Sequence, residues 1–245
     1  MIVKTEAIVL KSFDFRETSR IVTFYSREYG KVKGLLKGIR KDPRKFGSSV
    51  DRFSVNDIVF YQYRNSDIHL VSQCDMKEYY MPIRQDFKKM TAASYILELV
   101  DAIMPVEQKN EDIYKLILQY FSSLQTDADI SKLVHIFQIK TLLYSGFRPH
   151  LDTCVKCQKQ VRGQTRFSMQ LGGLVCDVCR PSGGDVASVS RGTVASILHI
   201  EQSEWAKSLK LGLSAMIKKE LKFDQNNFLV FHHEKNLSSA KYVQA

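Results

Sequence analysis

Over its first 80 residues the chain is divided into short runs of β-branched and aromatic residues separated by polar turns. Ala7-Ile8-Val9-Leu10, Ile21 to Tyr25, Val32 to Leu36, Val55 to Tyr63 and Ile68 to Val71 are such runs, with turn signals at Tyr29-Gly30-Lys31 and Arg64-Asn65-Ser66-Asp67 between them. Five strands in about 75 residues predict a small β-barrel. From residue 86 onward the period lengthens to that of a helix. Ile113, Leu116, Ile117, Tyr120, Phe121 and Leu124 recur at spacings of three and four behind Asn110, a good N-cap. In a helix at roughly 130–145, Ile130, Leu133, Val134, Ile136, Phe137, Ile139, Leu142 and Leu143 cover most of the circumference, which places it at the centre of a bundle. A last long helix is expected at roughly 203–221, with Trp205, Leu209, Leu213, Met216 and Ile217 on one face.

Charge divides the chain in the same way. Residues 1–80 hold 15 basic and 10 acidic side chains, residues 81–150 hold 8 of each, and residues 151–245 hold 13 and 8. The overall formal charge is +10, an excess that favours a polyanionic partner, either nucleic acid or an anionic surface. A five-stranded barrel with such an excess is most simply an OB-fold, whose open face and loops bind oligonucleotides. No apolar run approaches the ~20 residues needed to span a bilayer. The opening MIVKTEAIVLKSF carries Lys4, Glu6 and Lys11 where a signal peptide would need an unbroken apolar core, so a cytoplasmic protein without a membrane partner is expected.

The strongest chemical signal is a cysteine quartet. Cys154-Val-Lys-Cys157 and Cys176-Asp-Val-Cys179 lie 18 residues apart, and each pair can place two sulfurs on one edge of a tetrahedron about Zn2+. Four cysteines with no open position suit a structural zinc better than a catalytic one. Metal-free thiols, an iron–sulfur cluster and a redox dithiol remain alternatives at this level. Gly172-Gly173 offers the tight turn that returns the second pair to the first. Lys156, Lys159, Arg162, Arg166 and Arg180 surround the site, either to reach DNA or to neutralise the thiolates. Cys74 stands alone and reads as a small buried residue.

The second signal is the stretch 31–52, KVKGLLKGIRKDPRKFGSSVDR. It sets Lys31, Lys33, Lys37, Arg40, Lys41, Arg44, Lys45 and Arg52 against only Asp42 and Asp51. Connecting strands of an oligonucleotide-binding barrel, with Gly38 and Gly47 for mobility, it is the expected track for a phosphate backbone, continued by Arg16, Arg20 and Arg27. Phe13, Phe15, Tyr29, Phe46 and Tyr63 are candidate platforms for bases, Phe46 foremost because it lies inside the basic segment. No phosphate-binding glycine loop, HExxH or GxSxG occurs, and the six histidines form no ligand or catalytic motif, so no enzyme activity is expected.

Glu6-Ala7-Ile8-Val9-Leu10-Lys11-Ser12, Glu17-Thr18-Ser19-Arg20, Gly30-Lys31 and Lys37-Gly38-Ile39-Arg40 resemble, in order and spacing, the RecO family of bacterial DNA repair proteins. So do Ala92-Ala93-Ser94-Tyr95 with Glu98-Leu99, and Phe137, Leu142-Leu143 and Gly146-Phe147 leading into the cysteine quartet. The likeness covers residues 1–184 well and the C-terminal helices loosely. It implies a multidomain α+β architecture: an N-terminal OB-fold barrel (1–80), a helical domain (81–150 and 185–245) and an inserted four-cysteine zinc module (151–184). It further implies a recombination mediator that binds single- and double-stranded DNA, anneals complementary strands, acts with RecR, binds the C-terminal tail of single-strand-binding protein and helps load RecA on the nucleoid. On that resemblance Lys37, Arg40, Lys41, Arg44 and Lys45 match the family's basic loop, and Cys154, Cys157, Cys176 and Cys179 its zinc ligands. An acidic tail ending in an apolar residue calls for an apolar notch beside cations, for which Ile136, Ile139 and Leu143 with Lys132 and Lys140 are the candidates. The competing reading is an RNA- or ribosome-associated OB and zinc-ribbon protein with no part in recombination.

Overall fold

The computed structural model describes residues 1–42, 46, 50–126, 128–161, 165–180, 186–221 and 239. They fall into two compact units, the first running to Ala128 and including Ser239 near the C-terminus, the second beginning at Asp129.

In the first unit the five expected strands form β1 (Ile2–Phe15), β2 (Ser19–Ser26), β3 (Gly30–Leu36), β4 (Val55–Tyr61) and β5 (Ile68–Glu78). They close into a barrel in the order β1-β2-β3-β5-β4. The β3–β5 pairing is parallel and the other four are antiparallel. β1 is much longer than its apolar run because it serves two partners: Ile2 to Ile8 pair with β4, and Ala7 to Phe15 pair with β2, with a register shift between Val9 and Lys11. Val3, Ala7, Val9, Val22, Phe24, Val32, Ile58, Phe60 and Val71 are among the side chains that fill the barrel. The lone Cys74 joins them, fully buried.

Three helices follow: α1 (Met81–Gln85), α2 (Phe87–Ile103) and α3 (Glu111–Leu124). Asp86 caps α2 by accepting from the Lys88 and Lys89 N–H groups, and Asn110 caps α3 by accepting from Ile113 N–H. These helices are tied to the barrel. Tyr114 donates to Glu6 Oε1 at 2.8 Å, Lys11 pairs with Asp101 at 2.6 Å, and Glu107 N–H donates to Lys31 O at 2.9 Å. Gly30 is required at this seam: its φ is +63°, and a Cβ there would lie 2.0 Å from Gln108 O.

The second unit contains α4 (Ile130–Tyr144), a small sheet of β6 (Arg166–Ser168), β7 (Gly173–Val175) and β8 (Val186–Ser188) in the order β7-β6-β8, and then α5 (Arg191–Gln202) and α6 (Trp205–Ser208). Every residue of α4 from Leu133 to Leu142 is buried, in keeping with apolar side chains around most of its circumference. The expected long helix at 203–221 is interrupted. α6 stops at Ser208, and helix resumes only at 215–221, where Ser214 Oγ accepts from Ile217 N–H. The reason is competition for carbonyls. Lys132 Nζ takes Leu209 O at 2.6 Å and reaches Leu211 O at 3.4 Å, two acceptors a continuous helix would use, and Gly212 adds its own helix penalty. Met216, expected on the apolar face, is consequently exposed. No helix among the described residues is long and apolar enough to cross a membrane.

Candidate nucleic-acid interface and metal centre

The β1–β2 turn and the segment leaving β3 meet at one end of the barrel, because Asp14 pairs with Arg20 and Arg20 with Leu36 in adjoining ladders. That register brings together Arg16, Arg20, Lys37, Arg40 and Lys41, five of the residues expected to bind DNA, although the β1–β2 turn, the start of β2 and the segment after β3 supply them. Arg20 and Arg40 converge on Asp14: Arg20 Nε donates to Oδ1 at 2.9 Å, and Arg40 Nε lies 3.3 Å from Oδ2. The hydrogen bond from Arg20, with the charge of Arg40 beside it, holds the Asp14 carboxyl below the usual aspartate range. Arg40 also donates through Nη1 to the backbone oxygens of Arg16 and Glu17, at 3.2 and 3.1 Å. It staples the two loops together and fixes where their charges sit.

Arg16 adopts φ +54° in the turn, with its guanidinium over the Phe15 ring. Lys37 and Lys41 are exposed and make no ion pair among the described residues. Gly38, at φ +79°, accepts from the N–H groups of Lys41 and Asp42, so the start of the basic segment is a shaped turn. Arg44 and Lys45 lie outside the described residues, as does Gly47.

Three sequence expectations for this region are corrected. Lys31 is buried, with Nζ 2.6 Å from Asp101 O and 3.5 Å from its carboxylate, and so fastens α2 to the barrel and is not part of the track. Arg27 follows β2 at the end of the strand opposite Arg20 and pairs with Glu111 at 3.2 Å, so it does not continue the track. Phe46 is only 2% exposed and belongs to the barrel core with Leu36, Ile39 and Val50, so it offers no face to a base. A basic surrounding gave no hint that the loop closes the barrel with its apolar residues.

The second unit gathers the cysteines. Cys154, Cys157, Cys176 and Cys179 bring four sulfurs within 4.8 Å of one another, a cluster that could hold a metal ion. The Cys157–Cys176 separation of 3.8 Å equals the edge of a tetrahedron whose centre lies ~2.3 Å from each sulfur, the usual zinc–thiolate distance. β7 brings this about. Val155 N–H donates to Leu174 O at 2.9 Å, and Leu174 N–H donates to His150 O at 2.9 Å, which clamps the first Cys-x-x-Cys turn against the strand leading to the second. Gly172 makes the preceding turn at φ +66°. At Gly173 a Cβ would stand 2.4 Å from His150 O.

Cys176 N–H points at Cys154 Sγ, 3.5 Å away. Burial by itself would raise the Cys154 thiol, but the backbone N–H groups of Cys157, Cys176 and Lys156 bring it down to about 6. Hydrogen bonding to the Cys176 and Cys157 sulfurs pushes Cys179 the other way. Four neighbouring thiolates repel, and a cation at their centre is what lets all four ionise together. Arg166 is paired with Asp177, Lys156 and Lys159 are exposed, and Arg162 lies outside the described residues.

The residues suggested for a peptide tail sit differently. Ile136, Ile139 and Lys140 are buried, and Leu143 is half-buried. Lys140 Nζ donates to Ile200 O at 2.9 Å and Ser203 O at 2.5 Å, closing the end of α5. Lys132 holds the segment after α6. The notch with free cations that the sequence suggested is therefore not formed by these side chains: both lysines are used on carbonyls.

Residues 1–80 match the family model for the N-terminal part of recombination protein O, and residues 84–240 match that for its C-terminal part. The chain belongs to the RecO family. Among its RecO relatives, a DNA repair protein of Caldicellulosiruptor saccharolyticus is 33% identical over 90% of this chain and 88% of its own length. One of Desulforamulus reducens is 31% identical over 99% and 94%, and one of Moorella thermoacetica is 29% identical over 98% and 90%. The structure bears out the expected plan of a barrel, helices and a cysteine cluster, and the family match agrees with it.

Proposed function

We propose that the protein is a non-enzymatic mediator of DNA repair and recombination that binds single- and double-stranded DNA through the cationic end of its barrel and anneals complementary strands. The observation that carries this is the convergence of Arg16, Arg20, Lys37, Arg40 and Lys41 from the β1–β2 turn, the start of β2 and the segment after β3, stapled by Arg40. Annealing two polyanions requires screening their repulsion while leaving base edges free. Cations directed at phosphates do this without a nucleotide cofactor. Arg44 and Lys45, next along the same segment, would extend the track. The cysteine quartet holds a structural Zn2+, because four sulfurs in a closed tetrahedron leave no position for a substrate. In this reading the protein works on the nucleoid with RecR, engages the C-terminal tail of single-strand-binding protein by a surface other than the buried face of α4, and helps load RecA.

A salt-titrated annealing assay with and without chelator, run beside metal analysis, tests it. Five engaged cations give a slope of log affinity against log salt of roughly −3.5 for a single strand. Charge reversal at Arg40 and Lys41 should abolish capture and annealing. Salt-independent binding, or unimpaired annealing by that variant, refutes the proposal.

A further inference from the structure

Phe87, the first residue of α2, is 72% exposed. A lone apolar residue on a surface needs no explanation, but this one borders an open groove of about 550 Å³ in the first unit. Phe53 and Met90 form its apolar wall, Thr91, Ser94 and Ser239 its polar edge, and Arg52 stands at its rim. Arg52 belongs to the same basic stretch of sequence as Lys37, Arg40 and Lys41. Lys88 follows Phe87 on the exposed surface, and neither Arg52 nor Lys88 makes a side-chain ion pair among the described residues. The nearby acids all have hydrogen-bond or ion-pair partners, Asp51 accepting from Tyr79 OH at 3.2 Å. Asp86 accepts from the N–H groups of Lys88 and Lys89, Glu98 binds Ser239, and Asp101 pairs with Lys11.

We infer that the groove is a stacking site for the unpaired bases of a single strand, with Phe87 as the platform and Arg52 and Lys88 neutralising the flanking phosphates. The inference rests on the nucleic-acid reading above and deepens it. The barrel end supplies sequence-blind phosphate binding, which single strand and duplex share. An exposed aromatic ring beside an apolar groove adds affinity only for bases that are out of a double helix. An acidic protein segment would be drawn by the same cations, but it would not distinguish single strand from duplex.

The test is Phe87→Ala in the full chain, a surface truncation that leaves the core intact. Affinities are measured for a short oligothymidylate, for an abasic oligomer of the same length, and for the matching duplex, across a salt series. The variant is expected to lose roughly 5- to 150-fold in affinity for the oligothymidylate, with an unchanged salt slope. It should bind duplex like the wild type, and wild-type affinity for the abasic oligomer should fall to that of the variant. Arg52→Ala with Lys88→Ala should instead make the single-strand slope shallower by about 1.4. Unchanged oligothymidylate affinity in Phe87→Ala overturns this inference while the phosphate-binding reading stands. An equal loss on duplex overturns it as well, since stacking on a free base is then not what Phe87 provides. A wild-type protein without salt-dependent single-strand binding removes both.

Discussion

Lys140→Met separates two roles for one residue. On the surface, Lys140 would be a partner contact whose replacement leaves stability alone. In the structure its side chain is buried, and Nζ donates to Ile200 O and Ser203 O, carbonyls that α5 cannot satisfy from within. Hydrogen bonds from a charged donor contribute roughly 1.5–3 kcal/mol each, and a buried acceptor left without a partner costs about 1–3 kcal/mol. Methionine keeps most of the stem's packing and removes the burial cost of the ammonium, which offsets part of the loss. The net effect expected is a destabilisation of about 2 kcal/mol. Trp205, the single tryptophan, begins α6 just beyond this carbonyl cluster and reports unfolding of the second unit by fluorescence. With a urea slope of ~1–3 kcal/mol/M, the midpoint should fall by on the order of 1 M at fixed free zinc. The pH dependence has a definite sign. Burial lowers the pKa of Lys140, so between its folded value and its unfolded one the unfolded chain binds more protons, and stability rises with pH. Lys140→Met should flatten that alkaline rise. A variant whose midpoint lies within experimental error of wild type, with the rise intact, would falsify the capping role.

Phe46→Ala should cost about 3–5 kcal/mol in thermal or urea melts of the barrel, with an unchanged salt slope for DNA binding in the folded fraction. A loss of binding without loss of stability would restore Phe46 as a base platform. Gly173→Ala should destabilise the cysteine module by roughly 1–3 kcal/mol, because its Cβ meets the His150 carbonyl, and should weaken metal retention in a competition with a chromogenic chelator. Equal retention would mean the hairpin shifts at little cost. Cys154→Ser should reduce bound zinc, counted by native mass spectrometry, from one per chain to substoichiometric, since Cys154 is the buried ligand that also receives Cys176 N–H. Full occupancy in that variant would place the metal elsewhere.

Runs of β-branched and aromatic residues between turn signals were enough to locate the five barrel strands, and the spacing of the two Cys-x-x-Cys pairs was enough to foresee a four-sulfur cluster. Both are local patterns, written within one short run or within four residues. The cap at Asn110 and the apolar residues around most of α4 were legible for the same reason. Which charges stay free was not. Lys31, Arg27, Lys132 and Lys140 look in the sequence like surface cations. Each is drawn to a carboxylate or a set of carbonyls that lies far away in the chain, and only the closed fold supplies those partners. Phe46 was misjudged on the same ground: its neighbours in sequence are basic, but its neighbours in space are the barrel core. The break after α6 likewise depends on a lysine some 77 residues earlier in the chain. Sequence by itself determined the kinds of element and the four sulfurs that gather, because residue runs and spacing are properties of a single segment. Tertiary structure alone decided which polar groups are used internally and which remain for a ligand, because a hydrogen bond or ion pair needs two partners and the chain does not declare the second.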